Sequence, residues 1–183
     1  MDTEGLLTPE SPAAAAGTYE AFGPAAQTVV RETTRRMGFD REEYDERVTG
    51  EVVETARDAL FASLLSVRVG TSDEFEAWLD DHPDFEVERK GSEHVDGVVW
   101  HPVAFRKRVV AATYADRRDA AVATLRRIAF GRHYRPAVER VRADGDAAGS
   151  ADATDARTRP DPAPDSAPDG DPGSGSGSES DGE

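Results

Sequence analysis

No cysteine occurs anywhere in the chain, which excludes disulfides and thiolate metal sites outright. Asparagine is missing as well, Gln27 is the sole glutamine, and only Lys90 and Lys107 among the 22 basic residues are lysines. Nothing approaches the roughly 18 uninterrupted apolar residues that a membrane span needs. The opening MDTEGLLTPE has early acids and no apolar centre, so it does not read as a secretory signal. HExxH, any comparable metal-ligand spacing and a glycine-rich phosphate loop after a strand are missing too. The GSGSGS run near the end is low complexity, and an unordered segment cannot hold a nucleophile against its base. These absences lead us to expect no cofactor, no metal, no membrane contact and a cytoplasmic chain.

What is abundant is carboxylate: 37 acidic residues against 22 basic, a net charge of -15 over 183 residues. Acids occupy the surface positions that amides and lysines usually share. Concentrated salt screens the self-repulsion that such a charge creates, while the charge keeps the chain dissolved. The composition therefore reads as adaptation to a salt-rich cytoplasm, the rival reading being an acidic protein with a basic partner. The length suits one domain followed by a tail.

The densest apolar periodicity lies in residues 40–65. Asp40 is placed to cap a helix whose first turn carries Glu42 and Glu43. Tyr44, Val48, Val52, Ala56, Leu60 and Leu64 recur every four residues, widened by Val53, Phe61 and Leu65. The pattern predicts one long central helix around which the rest packs. Upstream, residues 1–10 look flexible, Ser11-Pro12 starts a short helix, and Pro24 opens a better one to about Met37, with Gly38 as its stop. So short a connection to the central helix predicts an antiparallel helical hairpin. Downstream, Val67 to Val69 alternates like a strand, and Thr71 or Ser72 caps a helix carrying Phe75, Trp78 and Leu79, closed by Pro83. Strands are expected over residues 85–89, 95–101 and 108–114, the last in competition with a helix over FRKRVVAATYA but favoured by Val109, Val110, Thr113 and Tyr114, with turns at Gly91-Ser92 and Pro102 making neighbours antiparallel. Asp116 looks like the cap of a helix from Arg117 to about Arg135 that buries Ala121, Leu125, Ile128 and Ala129, with a break at Pro136. Residues 144–183 hold eleven acids, two arginines and no leucine, isoleucine, valine or aromatic. A segment with nothing to bury cannot offset the entropy of ordering. The organisation expected is a flexible N-terminus (1–10), a single α+β domain (11–142) and a disordered acidic tail rich in proline, glycine and serine (143–183).

Two places invite a chemical reading. Residues 105–142 contain eleven basic groups against Asp116, Asp119 and Glu139, a net +8 in an otherwise negative chain. Arginine forks match phosphate oxygens, so Arg126, Arg127, Arg132 and Arg135 are candidate anion-binding residues. At about 100° per residue, however, Arg117 and Arg135 coincide, Arg118 and Arg132 flank the apolar side, and Arg126 and Arg127 lie opposite. No stripe forms that could track a nucleic-acid backbone, and pairing with the chain's own acids is the competing account. Of the four histidines, His82, His94, His101 and His133, the candidate polar site is His101, with His94, Glu93 and Asp96 nearby in sequence. A hydrogen-bonded core ring is its commoner fate.

The blocks GPAAQTVVRE (23–32), EVVETARDALFASLL (51–65), EFEAW (74–78), VVWH (98–101) and TLRRIAFGRHYR (124–135) together resemble a small haloarchaeal family of unknown function. The resemblance covers about residues 19–135 and implies a halophilic archaeal cytoplasm, but no reaction or ligand. The functional expectation is a non-catalytic interaction or scaffold module, with a protein partner or self-association through residual apolar surface. The alternative is a nucleic-acid- or phosphate-ligand-binding accessory protein using residues 106–135. A third reading is an enzyme centred on His101.

Overall fold

The computed structural model describes residues 1–92 and 94–155, with side chains as far as residue 147. The elements run β1 (Asp2–Glu4), α1 (Pro12–Ala21), α2 (Gly23–Arg36), α3 (Arg41–Arg47), α4 (Gly50–Leu64), β2 (Val67–Thr71), α5 (Ser72–Asp80), β3 (Glu86–Lys90), β4 (Gly97–Val103), β5 (Arg108–Tyr114), α6 (Arg118–Ala129), a π turn (Phe130–Tyr134) and α7 (Arg135–Asp155). The α+β class expected from the sequence is the class observed.

Five strands form one mixed sheet in the order β1-β2-β4-β5-β3. The centre of this sheet is buried on both faces. In β4, Val98 and Trp100 point to one side and Val99, His101 and Val103 to the other; in β5, Val109 and Ala111 oppose Val110 and Ala112. A strand buried on both faces reads as a continuous apolar run, as VVWH and VVAA do. One face is covered by α5, through Phe75 and Trp78. The other meets α1, α4, α6 and α7, whose aromatic side chains make one cluster: Phe61 lies 5.4 Å from Phe130 and 5.6 Å from Tyr134, between ring centroids.

Several local signals act as read. Ser11 accepts the amide of Ala14 at 3.0 Å with Pro12 opening α1. Asp40 and Glu43 make a reciprocal capping box, and so do Thr71 and Glu74. Gly38 ends α2 with φ +80°, a conformation that costs glycine nothing.

Four expectations are corrected. The single helix over 40–65 is two, because Val48 and Thr49 leave helical geometry and Thr49 becomes the cap of α4. Two β-branched residues followed by Gly50 are poor material for a helix interior. Nor does α4 serve as a dry axle: of its own residues only Phe61 and Ala62 are fully buried. Second, residues 1–10 are not loose. Strand β1 pairs with the open edge of β2, Asp2 opposite Val69 and Glu4 opposite Val67, giving that edge the hydrogen-bond partners it requires. Leu7 bridges Leu65, and Gly5 (φ +100°) passes so close to the Leu65 carbonyl that a Cβ would collide with it. Third, β3 is not the hairpin neighbour of β4. It crosses over and pairs in parallel with β5, Glu86 opposite Arg108. Pro102 lies inside β4, and the turn to β5 is instead a tight one at residues 104–107 with Lys107 at φ +49°. Fourth, Asp116 caps nothing, since α6 starts at Arg118 behind Arg117. Pro136 breaks nothing either: the helix widens into the π turn just before it, which accommodates a ring lacking a donor. Helix α7 carries on to Asp155, so the first part of the expected tail is helical; the rest of that expectation lies outside the described residues.

Because the buried part of α4 is its last turn, Phe61→Ala should cost about 3–5 kcal/mol, whereas Val53→Ala should cost about 1 kcal/mol or less. Denaturant unfolding in molar salt checks this, and equal costs would restore the picture of a uniformly buried helix.

Candidate functional site

His101 sits at the middle of the sheet and is 0% exposed. Its Nδ1 lies 2.5 Å from the Ser66 carbonyl and its Nε2 2.8 Å from the Tyr134 hydroxyl. A carbonyl only accepts, so Nδ1–H donates to Ser66 and Nε2 accepts the Tyr134 O–H. Burial lowers the ring's pKa to about 4 and raises that of Tyr134. The ring is therefore neutral and both its nitrogens are occupied. His94, its expected companion, is exposed in the loop before β4, and Glu93 lies outside the described residues. His82 Nδ1–H donates to the Trp78 carbonyl (2.8 Å) and the ring stacks on that indole, finishing α5. Among the described residues no three His, Asp or Glu side chains converge as a metal-ligand set.

The arginines of residues 106–135 go to separate places. Arg126 lies over the end of α4, its Nε 2.9 Å from the Leu65 carbonyl and its Nη2 3.1 Å from that of Glu4, where a cation suits a helix C-terminus. Arg135 pairs with Asp58, which also accepts the Tyr19 hydroxyl at 2.6 Å. Arg132 pairs with Glu88 on β3. Arg127 is exposed and has no ion pair among the described residues. Beyond the four sequence candidates, Arg118 reaches Glu4, Arg108 reaches Glu86, and Arg142 reaches Glu20 and Glu54. The structure thus brings Arg132 together with Arg106, Arg108 and His133, and separates it from Arg126, Arg127 and Arg135.

A feature of another kind lies between α2, α3 and α4. A groove of about 470 Å³ is lined by Val30, Met37, Phe39, Val48, Val52 and Ala56, with Val29 at its margin. Val29, Met37 and Val52 are 46%, 65% and 39% exposed, so half of the large exposed apolar side chains among the described residues gather here. Periodicity marked these residues as apolar; it could not show that they remain uncovered.

Fold and surface together define an α+β domain with an apolar core on both faces of its sheet and a helix-built apolar groove. More particularly, the chain belongs to the family of unknown function DUF5809, whose model matches residues 6–135. No curated protein and no solved structure matches the chain. No helix among the described residues is long and apolar enough to cross a membrane.

The His101 bridge gives two measurable consequences. Tyr134→Phe should cost about 1–3 kcal/mol, because Nε2 loses its only donor in a buried place. The folded pKa of His101 lies below the ordinary 6.5, so the unfolded chain takes up the proton first as pH falls. Stability from the neutral ring is complete above about pH 6.5 and is lost progressively towards pH 4, about 3 kcal/mol in all. Ring NMR signals of His101 should stay in the neutral form down to about pH 4; titration near 6.5 in the folded chain would contradict the bridge.

Proposed function

We propose that this chain is a non-catalytic interaction module of a salt-rich cytoplasm, and that its first partner is a second copy of itself, docked groove to groove. The observation that carries the reading is the uncovered apolar channel between α2, α3 and α4. Opposite net charge on the segments that border it supports a like copy as occupant. Helix α2 brings exposed Arg31, Arg35 and Arg36 against Glu32, a net +2, while residues 41–51 carry a net -3. A two-fold axis running along the groove sets α2 of one copy beside the acidic segment of the other, which is the self-complementarity an isologous contact requires. Salt favours this contact, since it screens the repulsion between two chains of charge -15 and leaves apolar burial intact. The halophilic setting itself is supported by the carboxylate-rich composition.

Nucleic-acid contact through residues 106–135 has less support. Arg118 and Arg135 are engaged by carboxylates on different elements and Arg126 by main-chain carbonyls, so the +8 is divided among separate places and offers no continuous track to a polyanion.

Sedimentation in molar KCl should show a dimer. Met37→Glu with Val52→Glu should weaken it by about a hundredfold, two buried carboxylates each costing at least a factor of ten, with the circular dichroism spectrum unchanged. Wild-type chain that stays monomeric at high protein concentration would remove the proposal.

A further inference from the structure

The π turn, β3 and the turn leading into β5 enclose a second concavity, of about 500 Å³, and all five residues lining it are ionisable: Glu88, Arg106, Arg108, Arg132 and His133. We propose that this concavity binds the phosphate group of a small molecule, gripped by the three arginine forks with His133 at its wall.

Three guanidinium groups meet here in a chain of net charge -15. Like charges sharing one cavity repel unless something answers them. Two carboxylates answer in part, Glu86 for Arg108 and Glu88 for Arg132, while Arg106 is exposed with no ion pair among the described residues. One positive charge is left over at the cavity. A tetrahedral oxyanion offers several acceptor oxygens to these forks, more than a carboxylate's two, and a fork grips two oxygens at once.

His133 supplies an independent sign. Its side chain is 6% exposed, yet Nε2 is sequestered without an aligned hydrogen-bond partner. Glu88 Oε2 stands 3.3 Å away but off line. Of the six buried side-chain nitrogens without a partner among the described residues, that of His133 is the one that lines this concavity, and an unmet one costs what its desolvation cost. Burial holds the ring's pKa below its ordinary value, with Arg106 and Arg108 pushing the same way against Glu88. An anion lodged between those arginines reverses their effect. It also competes with Glu88 for Arg132, which frees Glu88 to accept an in-line hydrogen bond from His133 Nε2–H. Ligand capture is thereby coupled to the state of a ring that can be observed directly.

The geometry favours a small ligand over a polyanion. The cluster is concave, and the neighbouring arginines point elsewhere: Arg118 and Arg135 to carboxylates, Arg126 to main-chain carbonyls and Arg127 to solvent. A long phosphate backbone leaving the cavity would run along carboxylate-rich surface.

The full chain, labelled at histidine, is titrated in KCl with inorganic phosphate and separately with glycerol 3-phosphate. A saturable shift of the His133 ring is expected, with His101 unmoved because its nitrogens are already bonded. Arg106→Ala, which breaks no ion pair, should weaken binding about tenfold or more, the loss expected for a charged hydrogen-bonding partner. Arg127→Ala, an exposed arginine of α6 outside the concavity, should leave it unchanged. Whichever of the two phosphates binds tighter identifies the source of the group, free ion or ester. No saturable shift at millimolar phosphate overturns the proposal, as does equal weakening by Arg127→Ala, which would mean diffuse electrostatics. Binding of a single-stranded oligonucleotide without response to either small phosphate overturns it too.

Discussion

A neutral imidazole between a hydroxyl and a carbonyl joins the layers of this molecule. His101 lies on the central strand, Tyr134 on the π turn and Ser66 on the link from α4 to β2, so one ring ties the sheet to the end of α4 and to the turn between α6 and α7. The interior there is dry, and each of the three groups would otherwise be orphaned at a cost comparable to a lost core contact. The aromatic cluster of Phe61, Phe130 and Tyr134 packs on the same spot. Placing the Tyr134 hydroxyl over β4 sets the helical phase at which α6 passes into α7. The same turn carries Arg132 and His133 to the other side, so the structural bridge and the ionisable concavity are two faces of one local irregularity.

Charge follows a similar economy. In a chain so rich in carboxylate, most arginines of the C-terminal helices find acids on other elements: Glu4 and Asp2 on β1, Asp58 and Glu54 on α4, Glu20 on α1, Glu88 on β3. Several of these pairs are half-exposed and individually weak, but they join segments far apart in sequence. The cluster around Arg106 is where cations outnumber their partners. The groove between α2, α3 and α4 is the corresponding exception for apolar surface: these three helices leave a channel that no segment among the described residues fills.

Features that depend on neighbours in sequence were legible. Capping by Ser11, Asp40 and Thr71, the stop at Gly38 and the bounds of β5 follow from side chains acting within four residues of themselves. Errors arose where a long-range partner decided. A four-residue apolar repeat ran on through Val48 and Thr49, and periodicity does not report a backbone break. Residues 2–4 carry almost no strand signal; they are strand because β2 has an edge to cover. Parallel pairing of β3 with β5 was hidden because a short loop between β3 and β4 looks like a hairpin whether or not the strands are neighbours. His133 carried no distinguishing signal, since a histidine between two arginines reads as surface until a π turn draws it inward.

The sequence by itself determined the α+β class, the apolar identity of the central strands, the capped helix starts and the excess of acid, since each is a property of residue type and short spacing. Tertiary structure alone decided which arginines were answered, which apolar residues stayed uncovered, and which histidine was sealed by two hydrogen bonds while another kept an unmet nitrogen. Those outcomes depend on distances between segments dozens of residues apart. Strand order and helix phase set such distances, and no local pattern encodes them.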